Sequence, residues 1–68
     1  MKPDPEILLE AVKDLHKGET IERAVGRILR RYGGTYETDY LRIMETVRDL
    51  ARKEKITAIE AARKLAQA

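Results

Sequence analysis

Apolar side chains recur along the chain at intervals of three and four, the repeat of a helix face and not the alternation of a strand. Leu8, Ala11, Val12 and Leu15, widened by Ile7 and Leu9, predict a first helix from about Pro5 to Lys17. Asp4 is placed to cap it, and Pro5 suits the first helical position, where a missing amide costs nothing. Gly18 reads as its stop. The clearest repeat follows: Ile21, Ala24, Val25, Ile28, Leu29 and Tyr32 predict a helix from Ile21 to Tyr32, capped by Thr20 and ended by Gly33-Gly34.

A third stripe, Tyr36, Tyr40, Ile43, Val47 and Leu50 with Leu41, Met44 and Ala51 alongside, is wide enough to face two neighbours. Its helix ends near Lys53, but Thr35, Thr38 and Asp39 all compete to cap it, so the start lies anywhere from Tyr36 to Asp39. The last helix has the sharpest start signal. Thr57-Ala58-Ile59-Glu60 is a capping box, in which the Thr oxygen meets the Glu amide and the Glu carboxylate reaches back. Beyond it Ala58, Ala61, Ala62 and Leu65 make a small face suited to close helix packing, and we expect an oligomer contact there.

No strand alternation, internal repeat or linker interrupts these segments. The expected fold is all-α: one compact domain over residues 1–68, four helices joined by short turns. The last two helices resemble a helix-turn-helix in outline, since Leu50-Ala51 closes one helix and Ile56-Thr57 opens the next. Lys55 stands where such a turn usually has Gly, and Glu54 where it has an apolar residue. Only Arg63, Lys64 and Gln67 on the last helix are able to reach base edges.

Composition narrows the chemistry. The chain has no Cys and one His, too few for a thiolate or His-based metal site, and no Ser for a Ser-His-Asp arrangement. That His, His16, sits near the end of the first helix, where it serves the helix dipole better than catalysis. Gly33-Gly34-Thr35 lacks the Lys of a phosphate loop and follows a helix, not a strand. No enzyme, cofactor or small-molecule substrate is indicated. The absence of Asn, with abundant Arg and Glu, matches the bias of a thermophile. No apolar run suffices for a membrane span, and Met1-Lys2-Pro3-Asp4-Pro5 lacks the layout of a secretory signal, so a cytoplasmic protein is expected. At 7.8 kDa the folded surface should be about 4,400 Å², a marginal degree of burial that favours a homodimer.

The net charge of +2 is unevenly placed. Residues 19–34 carry +2, while residues 35–55 are neutral. Arg23, Arg27, Arg30 and Arg31 fall within about 100° of arc on the second helix, opposite its apolar stripe. Arg27, Arg30 and Arg31 have no acid three or four residues before them, unlike the arginines of the third helix, where Asp39 precedes Arg42, Glu45 precedes Arg48 and Asp49 precedes Arg52. The face suits phosphates or a partner's carboxylates; the competing role is pairing with Glu6, Glu10 and Asp14 of the first helix. Gly26 interrupts the same helix at a cost of about 1 kcal/mol relative to Ala, which close approach of a backbone or ligand would explain.

Tyr32, Tyr36 and Tyr40 are the only aromatics. Beside Arg30 and Arg31 they are able to stack on bases, though rings packed at the core edge with wet hydroxyls are the commoner arrangement. The leading expectation is a non-catalytic helical interaction protein that acts by binding a macromolecular partner. The alternative is a small nucleic-acid-binding protein with the arginine face on phosphates.

Overall fold

The second and fourth helices form where their repeats place them. In the computed structural model, which describes residues 1–67, α1 is Asp4–Lys13, α2 Ile21–Arg31, α3 Leu41–Glu54 and α4 Ala58–Ala66. A π-helical turn, Tyr36–Tyr40, leads directly into α3. The fold is all-α, with no strand among the described residues and no helix long and apolar enough to cross a membrane. Helix α1 lies between α2 and α4, α3 packs on α4, and the π turn bridges α3 and α2. Each helix brings its stripe to one core: Ile7, Leu8 and Ala11 from α1, Ile21 through Leu29 at helical spacing from α2, Ile43, Met44 and Val47 from α3, and Ala61 and Ala62 from α4.

Two ends depart from the sequence reading, each for a visible reason. Helix α1 stops at Lys13, four residues early. Had it continued, the Asp14 carbonyl would accept from the amide of Gly18. Instead it accepts a 2.9 Å bond from the Arg27 guanidinium, and Gly18, at φ +78°, serves a separate turn closed by Glu19 N–H to the His16 carbonyl. At the other end Asp4 does not cap α1. The cap is Pro3, whose carbonyl takes the amides of Glu6 and Ile7. The Asp4 carboxylate is held by Arg42 of α3 in a two-pronged pair at 2.8 and 2.9 Å, the geometry that suits guanidinium and carboxylate best.

At the start of α3 the three competing caps all act. Thr35 accepts from the Thr38 amide, the Thr35 and Thr38 hydroxyls bond to each other, and the Asp39 carboxylate reaches back 2.8 Å to the Thr35 amide. This is a capping box lengthened by one residue. The Thr35 carbonyl correspondingly takes amides from both Asp39 and Tyr40, so the first turn is wide. The bond from the Thr35 amide, helped by Arg42, keeps the Asp39 carboxyl below its ordinary range.

Helices α3 and α4 are joined by a short turn at Lys55, which adopts the left-handed conformation (φ 56°, ψ 45°). The Ile56 amide bonds back to the Ala51 carbonyl across it. The capping box at Thr57 and Glu60 is present in both directions.

Candidate binding groove

The four arginines of α2 share a face but not a role. Arg27 is bound into the fold. Its Nε donates to Asp14 Oδ2 at 3.0 Å, its Nη2 to Glu19 Oε1 at 3.0 Å and to the Asp14 carbonyl, and its Nη1 to Glu19 Oε2. The Glu19 side chain is only 11 % exposed, and the Arg27 hydrogen bonds lower its carboxyl to about 2. Arg31 stands 3.7 Å from both Glu10 and Asp14. These two residues therefore follow the pairing with the first helix, not the binding face. Arg23 and Arg30 are exposed and, among the described residues, form no ion pair. At 100° per residue they lie 20° apart, two turns from one another, about 10 Å along the axis.

Gly26 lies between them, and the space beside it is empty. A Cβ built there would have no atom within 4 Å, so no packed neighbour accounts for the glycine. The opening belongs to a groove of about 270 Å³ bounded by Gly26, Leu29 and Arg30 of α2, Gly34 and Thr35 of the loop, and Tyr36 and Tyr40 of the π turn. Leu29 is buried and forms its apolar wall, and no carboxylate lines it. Gly33, at φ +74°, turns the chain out of α2, and the Gly34 amide bonds back to the Leu29 carbonyl at 2.8 Å. A Cβ at Gly34 would come within 2.7 Å of Leu29 Cδ2 and 2.9 Å of Met1 Sδ, so a side chain there would have to displace both. Glycine thus sets both the return of the chain and the closeness of the groove wall.

The tyrosines separate as well. Tyr32 is half-buried, donating its hydroxyl to Glu10 at 2.7–2.8 Å beneath Lys2, the arrangement of a core-edge ring. Tyr36 is not at the core edge. It is 64 % exposed and stacks on Tyr40, ring centres 5.0 Å apart and planes 16° from parallel. The wide π turn and its lengthened capping box hold the two rings in that stack. The sequence reading placed Tyr36 and Tyr40 beside Arg30 as rings able to stack on bases and singled out Gly26 on its own. It did not bring Gly26 to that group, and it missed Leu29, Gly34 and Thr35 as groove residues. The one available signal was the second glycine of Gly33-Gly34, which a helix stop does not require.

The remaining sequence candidates lie elsewhere. Ala61 and Ala62 are 0 % exposed and belong to the core, while Ala58 and Leu65 are partly buried against it. The small side chains serve the close approach of α4 to α1 and α3. On the outer side of α4, Lys64 is tied to Glu54, which leaves Arg63 and Gln67 exposed. His16 lies beyond the end of α1, its amide on Glu19. Among the described residues no group of His, Asp and Glu is placed to hold a metal ion, and no polar or charged residue is buried. Comparison of the chain with protein-family models, with curated proteins and with solved structures gives no match.

Proposed function

We propose that the protein is a non-catalytic binding module, and that a flat or apolar group of a macromolecular partner seats in the groove between α2 and the π turn. The observation that carries this reading is the empty space at Gly26, opposite a ring stack whose outer member is exposed. A helix-interior glycine costs about 1 kcal/mol relative to alanine, and nothing in the chain occupies the room it leaves. Arg30 lines that space and Arg23 lies about two turns before Arg30 on α2, both without an ion pair among the described residues, while the other two arginines of the helix are engaged by carboxylates.

Stability and binding should move in opposite directions at this position. Gly26→Ala is expected to raise stability by about 1 kcal/mol, because it meets no clash and improves helix propensity. Gly26→Leu should fill the groove. Indole, a neutral planar probe, should shift the amide resonances of Gly26, Arg30, Thr35 and Tyr36 in the native protein and lose that effect in Gly26→Leu. Indole shifts spread over other faces, or unchanged in Gly26→Leu, would remove the groove as a site. A fall in stability for Gly26→Ala would show that the glycine has a structural role instead.

A further inference from the structure

We infer that the group the groove accepts is an unpaired base of a single-stranded nucleic acid, stacked on Tyr36, with the flanking phosphates on Arg30 and Arg23. The inference rests on the groove reading above and names its ligand.

Two features have to be met at once. The first is a flat aromatic surface: Tyr40 supports Tyr36 from one side, nearly parallel, and Tyr36 remains 64 % exposed. A third planar group extends that stack without regard to its hydrogen-bonding edge. The second is positive charge without a partner. Arg30 lines the groove, Arg23 continues its line along α2, and the groove lining contains no carboxylate. A nucleic-acid strand brings one ring and one negative charge per residue, so it repeats the pair of groups that this surface offers. An acidic peptide would need an aromatic side chain and two carboxylates set at matching distances. Glu37 lines a separate hollow with Thr35, Tyr36 and Thr38, where its carboxylate disfavours phosphate, so the strand's phosphates belong on the α2 side, with Arg30.

Duplex nucleic acid fits less well. Its bases are already stacked on one another, and the broad arginine face that phosphates of two strands would need is reduced by the engagement of Arg27 and Arg31. On α4, Lys64 is held by Glu54, leaving little for a major groove.

The test is fluorescence anisotropy of a labelled oligothymidylate with the native chain, beside a duplex of the same length and a poly-glutamate peptide. Two phosphate contacts on a single strand predict a salt slope of about −1.4, hence an affinity loss of about sevenfold between about 50 and 200 mM salt. Arg30→Gln should halve that slope. Tyr36→Ala should weaken binding at least about tenfold, and Tyr36→Phe should restore it, since the ring and not the hydroxyl is used. Tyr36 is exposed, so neither variant threatens the fold. Undiminished binding by Tyr36→Ala would overturn the inference. So would poly-glutamate binding as tightly as the oligonucleotide and competing with it, which would make the partner an acidic peptide. If the oligonucleotide fails to bind at low salt while indole still maps to the groove, the base inference falls and the groove reading stands; failure of both removes both.

Discussion

At the residue scale the guanidinium of Arg27 makes four hydrogen bonds to Asp14 and Glu19, and of these two partners the sequence offered Asp14 alone. Pairing on a helix surface is searched at three and four residues, but Asp14 and Glu19 come from the end of α1 and the loop before α2. Their approach depends on where α1 stops, since the Asp14 carbonyl left free there accepts from Arg27. The same is true of Arg48, which pairs not with Glu45 on its own helix but with Glu22 on α2 at 3.5 Å. Arg42 and Arg52 do find Asp39 and Asp49 at the local spacing, because those pairs need nothing beyond one helix. The Arg27 cluster has a pH consequence. Glu19 is lowered from its ordinary 4.5 to about 2 by the Arg27 bonds and the His16 amide. A carboxyl depressed on folding contributes stability that is complete above its unfolded value and is lost as the pH falls through its folded value. Thermal stability should therefore decline from about pH 4.5 toward about 2, and Glu19→Gln should flatten that limb while lowering stability at neutral pH. An acid limb of the same depth in the variant would show that Glu19 is not its source.

At the element scale, legibility follows whether an element's ends are set by local or distant groups. Helices α2 and α4 begin with caps that act within one turn, Thr20 to the Arg23 amide and Thr57 with Glu60, and both start where the sequence places them. The wide start of α3 was visible only as a surplus of caps. Three candidates within five residues looked like ambiguity and proved to be cooperation, since a π turn gives each hydroxyl and carboxylate a partner. The turn between α3 and α4 is the opposite case, in which a departure from a motif was legible and its meaning was physical. Lys55 was noted as standing where glycine is usual, and it does hold the left-handed conformation that glycine adopts at least cost. A non-glycine residue there carries a penalty of about 1–2 kcal/mol. Lys55→Gly should relieve much of it and raise stability by about 1 kcal/mol, or about 4–8 °C in a domain of this size. Its chemical denaturation midpoint is the measurement. A lower midpoint would mean that the αL turn is not strained or that the Lys stem packs usefully.

For the molecule as a whole, the periodicity of the stripes was enough to give an all-α fold, because each stripe belongs to one helix and all meet in one core. What the stripes left open was which apolar side chains stay outside. Leu41, 43 % exposed, lies about 120° from the centre of the Ile43, Met44 and Val47 stripe, and Leu9 lies outside the packed face of α1. The burial of Ala61 and Ala62 has a related reason. Alanine reads as weakly apolar, so a face rich in it looks available, yet its small size is what lets α4 approach α1 and α3 closely enough to bury it. With Ala61 and Ala62 inside, the chain exposes 4565 Å², close to the value of about 4,400 Å² expected from its mass. A substitution at Ala62 separates a core position from an oligomer face. Ala62→Leu adds three carbons where the side chain is fully buried, so overpacking should cost about 1–3 kcal/mol. Were Ala62 part of a dimer contact on which folding depends, the loss would shrink as protein concentration rises, since association stabilises the folded state by mass action. The expected result is the same fall in melting temperature at about 10 and about 500 micromolar, with the native chain also melting at one temperature across that range. A melting temperature that climbs with concentration would return the small-residue face of α4 to the surface of an obligate dimer.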